Sequence, residues 1–318
     1  MLAILSVTAP IYLMIALGYL AVRKGFLLPT DMPVLGRFVV QLALPALVFK
    51  AVAVQPLAQV LRWDYVLVYS SGSVLAVLLG RWWCQRVLRQ TPVQAAIAAM
   101  GMGCPNSGFV GYPMLLMLLP GVAGSVLALN MLVENLLLIP LLLLWAERAQ
   151  QGGQGTGHLL LTLRRLLRSP LMLALGAGLL MAVSGWSLPA VLLRTVDMVA
   201  ATCGALSLLL IGGTLRGLSL RGQQSQLLVI ACGKLLLHPL CVWLALVTLP
   251  LLGLPALPGP MAAAVVLSAA MPMFGIYPTL AHSYGEGASS AGALLVTTMA
   301  SFVSITALLA LMAWQGWI

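Results

Sequence analysis

The sequence predicts an all-α membrane protein: ten transmembrane helices arranged as two inverted five-helix repeats, with helices four and nine broken and crossing. Three observations carry this. Hydrophobic residues make up 62% of the 318 positions and charged residues only 7%, against about 25% charged in a soluble domain. Apolar windows of roughly 20 residues recur along the whole length, each long enough to cross a hydrocarbon core of about 30 Å as a helix. Finally, one short motif occurs twice, in the fourth and the ninth of those windows.

The windows are residues 2–22, 34–54, 64–83, 93–119, 121–145, 170–187, 190–214, 225–249, 260–283 and 288–314, separated by turns rich in Gly, Pro, Arg and Gln. No basic stretch precedes the first, and Arg23 and Lys24 follow it at once, so it reads as a retained span whose end is held in the cytoplasm. Propagating that orientation gathers Arg23, Lys24, Arg37, Arg81, Arg86, Arg89, Arg148, Arg164, Arg165, Arg168, Arg216 and Arg221 on the cytoplasmic side. Arg62 and Arg194 fall outside. This asymmetry predicts a multi-pass plasma (inner) membrane protein with both termini extracytoplasmic. The net charge of +10 is spread over short loops beside span ends, which points to topology and anionic lipid rather than nucleic acid. Cys84, Cys104, Cys203, Cys232 and Cys241 form no CxxC and no metal-ligand spacing, and read as packing residues; no cofactor is expected.

The longest polar interruption, 146–168, divides the chain into an N-terminal repeat (1–145), a cytoplasmic linker and a C-terminal repeat (169–318). Five spans per half make the halves face opposite ways, the plan of many secondary transporters. Window four contains Phe109, Tyr112 and Pro113 as F-x-x-Y-P; window nine contains Phe274, Tyr277 and Pro278 in the same pattern, 165 positions on. Each copy has a proline upstream, Pro105 and Pro272, and a looser correspondence sets Pro45 in window two against Gly212 and Gly213 in window seven.

A proline inside a helix removes a backbone hydrogen bond and clashes with the preceding turn, at about 3 kcal/mol. At membrane depth the freed groups find no water, so irregular backbone is tolerated only where protein buries it or a hydrated cavity adjoins it. A simple kink is the plainer account of either proline alone. The pair, with Asn106, Ser107 and Gly108 beside it, predicts two broken helices meeting near mid-membrane, their half-helix N-termini offering N–H groups to an anion. The candidate substrate-binding residues are Pro105, Asn106, Ser107, Gly108, Pro272, Met273 and Phe274.

Ionisable side chains at membrane depth are costly and default to functional candidates. Glu134, followed by Asn135, lies midway along window five; it can carry a coupling proton, help coordinate Na⁺, or be satisfied structurally by Asn130 or Asn135. Lys234 and His238, four apart on one face of window eight, can attract an anion, pair with Glu134, or be structural. Lys50 is expected to snorkel to the interface and Asp197 to pair locally with Arg194.

At these positions the sequence resembles the auxin efflux carrier family. The resemblance rests on Pro10, Gly18-Tyr19 and Arg23; on Leu44-Pro45-Ala46-Leu47 with Phe49; on Asn106-Ser107-Gly108-Phe109 with Gly111 and Pro113; and on Pro239, Pro272, Tyr284-Gly285 and Thr297-Thr298 to Ser301. It runs essentially end to end. It implies two five-helix inverted repeats, a scaffold portion and a transport portion, and a carboxylate site at the crossing of helices four and nine. This chain reads Met273-Phe274 where the commoner members carry small residues, which implies a smaller or differently oriented ligand. The long hydrophilic loop of the plant exporters is absent, which resembles prokaryotic members.

The function so predicted is alternating-access transport of a small organic anion, with H⁺ or Na⁺ as coupling ion and a homodimer left open. Two other classes stand beside it. An intramembrane serine hydrolase would need Ser107 next to His238 or His282. A passive anion channel would show rings of like charge or a filter motif, and the sequence has neither.

Overall fold

The computed structural model describes residues 2–54, 62–150, 164, 167–186, 188–216 and 224–317, and their regular structure is helical. The helical segments are α1 (Leu2–Arg23), α2 (Pro29–Ala53), α3 (Trp63–Arg86), α4 (Pro92–Gly103), α5 (Ser107–Leu118), α6 (Pro120–Gln150), α7 (Pro170–Ser184), α8 (Ala190–Leu215), α9 (Gln224–Leu251), α10 (Gly259–Ala270), α11 (Tyr277–His282) and α12 (Gly287–Trp314). Six of them, α2, α3, α6, α8, α9 and α12, are long and apolar enough to cross a membrane, and Thr8–Arg23 of α1, α5, α7 and α10 are shorter apolar helices. The chain is a multi-pass helical membrane protein. Windows four and nine supply no long helix because each is split in two, α4 from α5 and α10 from α11.

Helix ends follow local chemistry. Thr91 caps α4 by accepting from the Gln94 amide at 3.2 Å while the Gln94 side chain accepts from the Thr91 amide, and Pro92 opens the helix where its missing N–H costs nothing. Ser169 caps α7 ahead of Pro170 by accepting from the Met172 amide at 3.3 Å, and Gly185 closes that helix with φ +66°. The fifth window overruns its expected end, because α6 stays helical to Gln150. The rest of the expected linker, residues 151–163 and 165–166 with Arg165, lies outside the described residues, as does Arg221.

One feature of these helices was not foreseen from the sequence. Four five-residue π turns, Val39–Ala43, Ser107–Gly111, Glu134–Leu138 and Gly233–Leu237, each end two residues before a proline: Pro45, Pro113, Pro140 and Pro239. A proline cannot donate to the carbonyl four residues back and its ring crowds that carbonyl. Widening the preceding turn relieves both, so the helix continues instead of breaking.

The chain forms two compact bodies, one built from residues 1–62, 108–129 and 164–217, the other from 63–107, 130–163 and 218–318. In the first, α1 packs along α8 through reciprocal glycines. A methyl at Gly18 would lie 2.0 Å from the Leu209 carbonyl oxygen, and one at Gly212 would lie 1.8 Å from that of Ile15. Val22, Met32 and Leu210 form a core cluster there, with Leu27, Leu35 and Phe109 against it. Lys50 pairs with Asp197 at 2.8 Å, both about 40% exposed, so the carboxylate expected beside Arg194 instead takes its partner from α2. In the second body, α3 packs against α4 and α9, burying Tyr65 and Tyr69 completely. Four of the five cysteines are buried, as packing residues should be, while Cys232 is exposed.

Candidate functional site

The two helix breaks lie in the second body and pair with one another. Cys104 (φ −106°, ψ 104°) and Met271 (φ −60°, ψ 151°) are extended, the conformation that a following proline imposes. From there the Asn106 amide donates to the Pro272 carbonyl at 2.7 Å, and the Phe274 amide donates to the Cys104 carbonyl at 3.2 Å. Pro105 stands opposite Met273 as an isolated antiparallel bridge. That register puts Pro105 at a position where an antiparallel pair exchanges no hydrogen bonds, so its missing N–H costs nothing. Two short extended pieces thus satisfy each other's backbone deep inside a helical protein, as the absence of water requires.

These segments are closed in. Pro105 and Pro272 are buried, as are Asn106 and Ser107, and Met273 is wholly inaccessible. Phe274 packs on Tyr277, ring centroids 6.2 Å apart. Gly108 belongs to the first body, where a methyl would sit 2.9 Å from Leu44 Cδ1. The two copies of the F-x-x-Y-P repeat are used differently: Tyr277 opens α11 with Pro278 in its first turn, where proline is tolerated, whereas Tyr112 and Pro113 follow the π turn of α5.

A row of buried polar groups lies beside the breaks; sequence reading named Glu134, Lys234 and His238 in it and missed Tyr65, Tyr69 and Ser73. Helix α3 carries Tyr65, Tyr69 and Ser73 at four-residue spacing, hence on one face. Tyr65 donates to Asn130 Oδ1 at 2.8 Å. Tyr69 donates to Glu134 Oε1 at 2.8 Å, and Ser107 donates to the same oxygen at 2.5 Å. Ser73 Oγ meets His238 Nε2 at 2.8 Å, and the other ring nitrogen, Nδ1, meets Lys234 Nζ at 2.8 Å. Lys234 Nζ also donates to the Ala269 carbonyl, in the last turn of α10. With Lys234 as an ammonium, Nδ1 accepts from it and Nε2–H donates to Ser73, an assignment made from the network.

Glu134 is therefore tied to the first break through Ser107, and Lys234 to the second through the end of α10. An ammonium there meets both an orphan carbonyl and the negative end of a helix dipole. Both charges sit on proline-widened turns, Glu134 at the head of one and Lys234 second in another. The pairing of Lys234 with Glu134 weighed from sequence is not formed, since the amine is engaged by His238 and Ala269. Asn135 donates to the Met131 carbonyl of its own helix at 2.8 Å. Ser107 has a carboxylate as its partner, and His238 meets Ser73 and Lys234, so the pairing of Ser107 with His238 weighed from sequence is not formed. The signal that would have revealed the row is Tyr-x-x-x-Tyr-x-x-x-Ser, three polar groups on one face of the third window.

Helices that cross a membrane, two of them broken and paired, with buried charges beside the breaks, define a polytopic membrane protein organised around an interior polar region. The membrane transport protein family matches residues 3–310, and the chain belongs to that family, which is that of the auxin efflux carriers. It is also 28% identical over 319 residues to a protein of Rhizobium meliloti (strain 1021) named "Putative malonate transporter", an alignment that covers 96% of this chain and 95% of that one.

Proposed function

We propose that this chain is a secondary transporter that moves a small organic anion, a carboxylate, by alternating access through a site at the paired breaks. The observation that carries the reading is the mutual pairing of the Cys104–Asn106 and Met271–Phe274 backbones, in a chain that belongs to a transport family. Irregular backbone at this depth is expensive to maintain, and transporters use it to present polar groups to a solute in mid-membrane. Asn106 brings two donors and an acceptor, Ser107 a hydroxyl, and Pro105, Pro272, Met273 and Phe274 shape the space around them. The relative's name supports a short dicarboxylate such as malonate as the first anion to try.

On this reading the ten crossings form two inverted five-helix repeats, the two F-x-x-Y-P motifs marking equivalent points, and both termini lie outside the inner membrane. The test is counterflow of labelled malonate and other small carboxylates in proteoliposomes. Saturable exchange is expected, and Asn106→Ala should abolish it while leaving the amount of folded protein in the membrane unchanged. Exchange that survives Asn106→Ala at the wild-type rate refutes the site.

A further inference from the structure

We propose that the Ser107 hydroxyl couples a proton to the anion, by reversing the direction of its hydrogen bond with Glu134. This rests on the reading of the paired breaks as the anion site and adds to it the coupling ion and the route. Ser107 belongs both to the break and to the buried network: it follows Asn106 directly, and its Oγ lies 2.5 Å from Glu134 Oε1. A serine has a single hydrogen to donate. While Glu134 is a carboxylate, that hydrogen is committed to it, and Ser107 turns only lone pairs toward a solute, which repel an anion. When a proton arrives on Oε1, the carboxyl becomes the donor in the same contact. The Ser107 hydrogen is then released to donate to the solute's carboxylate, while Tyr69 keeps its bond to a remaining lone pair of Oε1.

Charge works in the same direction. The groups facing Glu134 are Tyr65 and Tyr69 from α3, Cys104 and Ser107 at the break, and Lys234 from α9. Lys234 is the only cation among them, and it is held by His238 and the Ala269 carbonyl. An anion arriving with Glu134 ionised would add its own negative charge to that of the carboxylate, near one fixed positive charge. Protonation of Glu134 lowers the excess by one, so one proton and one anion bind, and cross, together.

The test is malonate affinity of purified wild-type protein, Ser107→Ala, Ser107→Thr and Glu134→Gln, measured calorimetrically between pH 6 and 8. Ionisation of malonate itself is common to all four proteins and cancels in the comparison. Wild type should lose affinity as pH rises, by at most about tenfold per pH unit for a single linked proton. Glu134→Gln, whose amide can donate to Ser107 as the protonated acid does, should keep the low-pH affinity across the range. Ser107→Ala should make the slope shallower, leaving only the part that the charge of Glu134 produces, and Ser107→Thr, which restores the hydroxyl, should restore it. A wild-type slope no steeper than that of Glu134→Gln, or a full slope in Ser107→Ala, overturns the coupling and leaves the anion site intact. Failure of every small carboxylate to bind the wild type overturns the underlying site as well.

Discussion

Lys234 and Lys50 differ in burial, and burial decides what each contributes. Lys50 and Asp197 hold a 2.8 Å pair in which both side chains remain about 40% exposed, and such pairs contribute roughly 0–1 kcal/mol. Lys50→Met should therefore change the unfolding midpoint little, as differential scanning fluorimetry can show. Lys234 is fully inaccessible and serves two partners, His238 and the last-turn carbonyl of α10. Lys234→Met leaves both without a donor in a site closed to water, at about 1–3 kcal/mol for each group left unsatisfied. A clear drop in thermal midpoint in detergent is expected, and an unchanged midpoint would show that the tether of α10 is dispensable. The charge itself was legible in the sequence as an anomaly in an apolar window. Its partners were not, because a backbone carbonyl 35 residues away carries no residue-type signal.

Helices here are shaped by proline in two opposite ways. At Pro105 and Pro272 the chain leaves the helix, and at Pro45, Pro113, Pro140 and Pro239 a widened turn lets it continue. One extra residue in a turn rotates everything beyond it by about 100°, so Pro140 and Pro239 set the faces on which Glu134 and Lys234 stand relative to the rest of α6 and α9. Pro140→Ala and Pro239→Ala permit a regular α turn and should reduce malonate exchange without lowering the amount of protein in the membrane. Exchange equal to wild type would mean the widened turns are incidental. Close helix approach is the other determinant at this scale. Gly18→Leu would place side-chain atoms where the Leu209 carbonyl now lies and force α1 from α8; overpacking of this kind costs about 1–3 kcal/mol or more, and a lowered unfolding midpoint should follow. The breaks at Pro105 and Pro272 were legible because a bilayer makes irregular backbone rare and a repeated motif marked both. The π turns were missed because a proline in an apolar window predicts a kink or a break equally well, and the choice depends on whether neighbours can take up the freed groups.

For the molecule as a whole, binding linkage gives a direct check on the transport reading: a carboxylate present at a hundred times its dissociation constant should stabilise the folded protein by about 2.7 kcal/mol, and Asn106→Ala should lose that shift. Hydropathy alone established that the chain is helical and membrane-embedded, since at 62% hydrophobic residues only a lipid solvent keeps so much apolar surface satisfied. The order of motifs established the family, because prolines and glycines report backbone geometry that related chains share. Tertiary structure alone decided which broken ends meet and in what register, that Glu134 reaches one break through Ser107, and that Lys234 caps α10 instead of pairing with Glu134. The division has a physical reason: solvent preference and backbone permission are properties of single residues and short stretches, and so are written locally. A buried hydrogen bond depends on where two distant segments come to lie, and no local pattern encodes that.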